Sequence, residues 1–172
     1  MSKNSKSEVI IYTDGGCVPN PGLGGWAAIL CCGEHVKEIS GGQKDTTNNR
    51  MELTAAVNAL SALKRPCRVR VFTDSEYLRR GVTEWLPLWQ ERGWKRKGGE
   101  LKNIDLWQQL THLVQRHEVQ WNWVRGHAGD PLNERCDFLV RQAIEMEREK
   151  EEISPAKIDS SAKQSRSKDN SP

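Results

Sequence analysis

The chain has 172 residues, 36% hydrophobic and 28% charged, with a formal net charge of +3. That length allows one domain with a real core, and a charge of +3 is too small to name a partner. No stretch approaches the roughly 20 apolar residues of a membrane span. The opening MSKNSKSEVIIY lacks a signal-peptide pattern, so the expectation is a cytoplasmic protein with no membrane partner.

In chain order, EVIIYT (8–13) is a short β-branched run suited to a central strand. GGWAAILCCG (24–33) and HVKEISGG (35–42) read as two strands joined by a tight Gly-Glu turn. A helix follows from Met51, with Asn49 and Glu52 spaced as a capping box. RVRVFT (68–73) is the next strand, SEYLRRGV a short helix, and NIDLWQQLTHLVQRH (103–117) a longer one whose Leu106, Leu110, Leu113 and Val114 share a face. EVQWNWVRG (118–126) alternates Val119, Trp121 and Trp123 on one side, as a strand does. The last helix begins with Asp130 as N-cap and Pro131 at its first position, and buries Leu139, Val140, Ala143 and Ile144. The pattern predicts an α/β mixed sheet with helices on its faces, in one domain over residues 8–147. Residues 148–172, rich in Ser and poor in large apolar side chains, read as a disordered tail.

Cys17, Cys31, Cys32, Cys67 and Cys136 form no C-x-x-C pair, and the histidines complete no zinc pattern, so reduced buried thiols are expected.

Four acids are harder to dismiss. Asp14 and Asp74 each close a strand with the dipeptide Thr-Asp, in the region where open α/β sheets collect functional groups. Glu52 heads the apolar stripe Ala56, Ala59, Leu60, Leu63, and Asp137 borders the stripe of the last helix. Turn and cap chemistry accounts for each one singly. If the four converge they repel one another and raise one another's pKa, a cost that hard divalent cations remove. Two Mg²⁺ ions on such a cluster would clamp the attacking and leaving oxygens of a phosphodiester.

IYTDGGCVPNPGLGGWA, TTNNRMELTAA, VFTDSEYL and WVRGHAGDPLNERCD, in this order, closely resemble the bacterial ribonuclease HI (ribonuclease H type 1) family over residues 8 to about 145. The resemblance implies the ribonuclease H-like fold: a five-stranded mixed sheet, strands 1–3 antiparallel and strands 4 and 5 parallel to strand 1, flanked by helices. It implies endonucleolytic cleavage of the RNA strand of RNA–DNA hybrids with two Mg²⁺ ions (Mn²⁺ as a substitute), leaving 5′-phosphate and 3′-hydroxyl ends; the protein is expected to be a monomer. Asp14, Glu52, Asp74 and Asp137 match the metal-binding and catalytic acids, and His127 in GHAG matches a histidine that assists proton transfer or product release.

The same resemblance assigns substrate contacts. Asn48 and Asn49 match minor-groove residues, Thr47 and Asn20 a DNA-phosphate pocket, and the Cys17 backbone lies beside the RNA strand. Residues 84–107 match a protruding basic arm with Arg92, Lys95, Arg96 and Lys97; there Trp94 and Trp107 are expected to pack locally and Trp85 to face the DNA. Two departures stand out: Glu76 follows Thr-Asp-Ser where the family often has Gln, and Gln90 and Glu91 replace basic residues before Arg-Gly-Trp. The alternatives are a non-catalytic hybrid-binding module and a related polynucleotidyl transferase acting on DNA.

Overall fold

A computed structural model describes residues 6–95, 98–125 and 129–154. The β-branched run at the N-terminus starts a strand, β1 (Glu8–Val18), that is longer than its apolar part. It pairs antiparallel with β2 (Gly22–Cys32), from Ile10↔Cys31 to Val18↔Leu23. β2 turns through Gly33 and Glu34 into β3 (His35–Thr46), as expected; Gly33 has φ +58°, a conformation that glycine adopts without strain. On its other side β1 runs parallel to β4 (Arg68–Thr73), which runs parallel to β5 (Glu118–Trp123). The strand order is β3-β2-β1-β4-β5, the mixed sheet that the motifs implied.

Alternation along the strands sends side chains to two cores. On one face Val9, Ile11, Leu30, Val69 and Val71 pack with Leu53, Ala56 and Leu60 of α1 (Asn48–Ser61) and with Trp107 and Leu110 of α4 (Ile104–Arg116). On the other, Ala27 and Ile29 pack with Cys136, Leu139, Val140 and Ile144 of α5 (Pro131–Ile153), with Tyr12 against their edge.

The short helix expected after β4 proves longer. α2 (Glu76–Arg80) continues through one wide π turn, Gly81–Trp85, into α3 (Leu86–Glu91). A Cβ on Gly81 would overlap the ring of Trp107, which is fully buried and donates from Nε1 to the Tyr77 hydroxyl at 3.1 Å. Packing against a large side chain thus sets the path of this segment, with no periodicity in its own sequence to announce it.

Two helix ends differ from expectation. α1 is capped by Thr47, whose Oγ1 accepts from Arg50 N at 3.2 Å, so Asn49 is inside the helix rather than capping it. Both residues suit a cap locally; the chain entering from β3 delivers Thr47 first. At the other end of the chain, α5 runs to Ile153, past the expected tail boundary at 148. Pairs Glu145–Arg148 and Glu147–Lys150 support its last turns, and Lys44 of β3 reaches Glu151 at 3.9 Å. The rest of the expected tail, 155–172, lies outside the described residues. All five cysteines are free; Cys17, Cys67 and Cys136 are buried as expected, whereas Cys32 is exposed beside the β2–β3 turn.

Candidate active site

Asp14 does not end its strand. β1 continues through it, opposite Ala27 of β2, while the ladder to β4 stops at Tyr12↔Phe72. Asp14 therefore sits where β1 and β4 part, and Asp74 follows directly where β4 ends at Thr73. The divergence opens a cavity of about 440 Å³ lined by Asp14, Gly15, Gly16, Asn48, Asp74, Asn133 and Asp137 among others. Two acids far apart in sequence meet because parallel neighbours finish at the same end of the sheet.

Glu52 reaches this place from α1. With Thr47 as cap it lies in the second turn, so no capping duty explains it. Its carboxylate accepts a hydrogen bond from Ser75 Oγ, which also caps α2 by accepting from Leu78 N at 3.0 Å. Asp137 comes from α5, half-buried, with an ion pair to Arg141 one turn on. Asp14 Oδ1 accepts from Gly15 N at 2.9 Å.

The proximity has an electrostatic signature. Burial, then the charges of Asp74, Asp137 and Glu52, push the Asp14 carboxyl up to about 7, against the hydrogen bond from Gly15. Burial and the charge of Asp74 push Glu52 up to about 7 as well, opposed by the Ser75 hydrogen bond. Hard oxygen donors gathered at a cost to their own ionisation suit a divalent cation, which relieves that cost. Among the described residues no three His, Cys, Asp or Glu side chains form a ready-made cage for one ion. Mg²⁺ does not demand one, since it usually takes one or two carboxylates and completes its shell with water and phosphate. The donor set fits the ion.

A pH dependence follows. A carboxyl whose pKa is raised on folding contributes stability that is present below its unfolded value, near 4, and lost as pH rises through about 7. In EDTA the stability conferred by Asp14 is therefore expected to fall between pH 5.5 and 8. Comparing wild type with Asp14→Asn by urea unfolding isolates it, and the gap should change by about 1–2 kcal/mol over that range. His117, whose pKa burial lowers, acts in the opposite sense below 6.5 but is common to both proteins. Equal pH profiles would mean that Asp14 titrates as an isolated acid.

The other predicted residues fall into two groups. Asn20, Thr47 and Asn48 are brought together, with Asn48 N donating to Asn20 Oδ1 at 3.2 Å, and Cys17 and Asn48 line the cavity of the acids. Asn49, Trp85 and Arg92 lie farther along the same surface, around a second groove of about 430 Å³ with Tyr77, Trp89 and Lys102. Trp85 is half-buried there, edge-on to Tyr77 and beneath Arg80, while Trp107 and Trp94 pack into the core as expected. Lys95 is exposed; Arg96, Lys97 and His127 lie outside the described residues. Glu76, the departure from the family, is exposed and 3.9 Å from Arg79. Sequence reasoning missed Asn133, Arg141 and Ser75. Asn133 and Asp137 are four apart on α5 and so share a face, a spacing that could have found the buried Asn133.

Comparison with known proteins places this architecture. The family model described as RNase H matches residues 6–145. Ribonuclease HI of Pseudomonas aeruginosa strain PAO1 is 57% identical over 140 residues, which cover 81% of this chain and 95% of that protein. Ribonuclease H of Cupriavidus pinatubonensis is 56% identical over 138 residues, covering 80% and 95%. Among solved structures, LC9-RNase H1, a type 1 RNase H, superposes with a TM-score of 0.77 at 30% identity, covering 92% of this chain and 87% of that one. LC11-RNase H1 in complex with an RNA/DNA hybrid gives 0.63 at 25% identity, covering 80% and 97%. The chain belongs to the RNase H family, and it is a ribonuclease H enzyme.

Proposed function

We propose that the chain is an endonuclease that hydrolyses the RNA strand of RNA–DNA hybrids with two Mg²⁺ ions, giving 5′-phosphate and 3′-hydroxyl ends, and that it works in the cytoplasm as a monomer. One observation carries this reading: Asp14, Asp74 and Asp137, from β1, the end of β4 and α5, line one cavity, with the Glu52 carboxylate of α1 held beside it by Ser75. Among the described residues no helix is long and apolar enough to cross a membrane.

In this reading Asp14, Glu52, Asp74 and Asp137 hold the cations. Cations held there would supply activation of a water and stabilisation of charge on the leaving oxygen. The chain's own groups orient the duplex. Asn48 and Asn49 at the start of α1 face the minor groove, where 2′-hydroxyls distinguish RNA from DNA. Thr47 and Asn20 hold a phosphate of the DNA strand beside the free N–H groups of α1. The Cys17 backbone borders the RNA strand, and Trp85 meets the DNA strand along the groove it shares with Arg92. Arg92 and Lys95, with Arg96 and Lys97, supply a salt-dependent grip without sequence preference. His127 assists proton transfer or product release, work suited to a side chain that titrates near neutrality.

The test uses an end-labelled RNA–DNA hybrid with Mg²⁺ or EDTA, beside single-stranded RNA and DNA duplex. Metal-dependent cutting confined to the RNA strand of the hybrid is expected. Tight binding without cutting would favour a binding module, and cutting of the DNA duplex would favour a polynucleotidyl transferase.

A further inference from the structure

Tyr12 and Asp130 meet across 118 positions of sequence, the Tyr12 hydroxyl donating to Asp130 Oδ2 at 3.0 Å. The other oxygen of Asp130 is already occupied: Oδ1 accepts from Leu132 N at 3.1 Å and Asn133 N at 3.4 Å, the cap of α5. One carboxylate thus joins the first turn of α5 to the middle of β1. The Tyr12 ring is itself fixed, stacked on Phe72 of β4 with centroids 4.9 Å apart and planes 11° from parallel.

The position of this bond matters more than its strength, which is about 1 kcal/mol for an ordinary hydrogen bond and somewhat more to a charged acceptor. Tyr12 and Asp14 are two apart on β1 and so face the same side, toward α5. Asp130 caps α5 and Asp137 lies in its second turn, so both are carried by the N-terminal end of the same helix. The Tyr12–Asp130 bond and the cavity shared by Asp14 and Asp137 thus lie between the same strand and the same helix, with Cys136 Sγ also donating to Tyr12 O at 3.5 Å. Fixing the first sets the axial and rotational register of α5 on β1, and with it where the Asp137 carboxylate stands relative to Asp14.

We propose that the Tyr12–Asp130 hydrogen bond is a positioning device for the active site, setting α5 on β1 so that Asp137 and Asp14 can serve a common divalent cation. Neither residue lines the cavity of the acids, so both would act through Asp137. The inference rests on the metal-binding reading above, and its experiment separates the two.

The decisive measurement is Mg²⁺-induced stabilisation, read as the shift in urea midpoint along a Mg²⁺ titration without substrate. Wild type, Tyr12→Phe and Asp130→Asn are compared. Tyr12→Phe keeps the stacked ring and deletes one donor; Asp130→Asn keeps a carbonyl oxygen for the cap and weakens the link by removing the charge. Each variant is expected to need about 3–10-fold more Mg²⁺ for half-maximal stabilisation. Hybrid cleavage should show reduced kcat at low Mg²⁺, partial recovery at high Mg²⁺ and unchanged KM. A lower urea midpoint with an unchanged Mg²⁺ requirement would make the bond a stability element only, and the proposal would be wrong. No effect on either quantity overturns it equally. If wild type shows no Mg²⁺-dependent shift, the metal reading fails and this inference fails with it. Asp130→Asn provides the comparison should Tyr12→Phe not fold.

Discussion

Replacing Asp14 with Asn is expected to reduce RNA-strand cleavage by at least about 10³-fold, in the range seen when a preorganised electrostatic group is lost from an active site, while the metal-free fold becomes no less stable. The two halves of this result come from one fact. Asp14 is a half-buried carboxylate whose charge is disfavoured first by burial and then by Asp74, Asp137 and Glu52, which raises its pKa to about 7. At pH 8 the metal-free protein carries that charge at a cost, and the amide removes it. The gain is expected to lie between zero and about 2 kcal/mol, because Asn must still satisfy the hydrogen bond from Gly15 N. With Mg²⁺ the order should reverse: wild type gains from the cation and the variant gains little. Urea unfolding in EDTA and in Mg²⁺ tests the stability statement, and single-turnover cleavage tests the other. A loss of several kcal/mol in EDTA would mark Asp14 as a structural residue and sink the cluster model.

The same cluster shows what could be read from the chain before its structure. Glu52 stood out because a carboxylate headed a stripe that ends in buried Ala56, Ala59 and Leu60, and periodicity reports such conflicts reliably. The start of α5 was legible for a similar reason: Asp130 and Pro131 are both local cap signals, and both occupy the predicted positions. The course of β1 was not. Asp-Gly-Gly reads as a turn, yet Gly15 and Gly16 remain in the strand because Trp26 and Gly25 of β2 pair with them. That decision belongs to a partner strand and leaves no mark in the local pattern. The cap of α1 was misplaced by two residues because Thr47 and Asn49 are both competent caps, and only the exit of β3 chooses between them. Family resemblance identified the four acids as one site; it offered nothing on Tyr12 and Asp130, whose contact is long-range.

Gly15→Ala is expected to be among the most damaging single-methyl changes in this protein, lowering stability by about 2–4 kcal/mol and depressing cleavage further than that loss explains. The reason is contact with backbone. A Cβ at this position would overlap the carbonyl carbon of Met51 and the amide nitrogen of Glu52, and would stand 2.6 Å from the Met51 carbonyl oxygen. A flexible side chain could swing aside, but the second turn of α1 cannot. Met51 is wholly buried and Leu53 beside it equally so, which leaves the helix no room to slide without opening the core beneath the sheet. Alanine must therefore push α1 away from β1. Glu52 rides on the displaced turn, while Asp14 stays with the neighbouring strand residue, so the separation of two acids changes directly. A shift of about 1 Å in a catalytic group can cost on the order of 10²-fold in rate, and this loss should persist at temperatures and urea concentrations where the variant is fully folded. Gly16→Ala is the control: its Cβ would meet only a Val140 methyl at 3.4 Å, an ordinary contact on the α5 side. It should retain most of its stability, and its α1 should keep its place against β1. If the two alanines behaved alike, the close approach of α1 to β1 would not be what holds Glu52 beside Asp14. If Gly15→Ala alone failed, the glycine in Thr-Asp-Gly would be explained by the helix that must pass within touching distance of it.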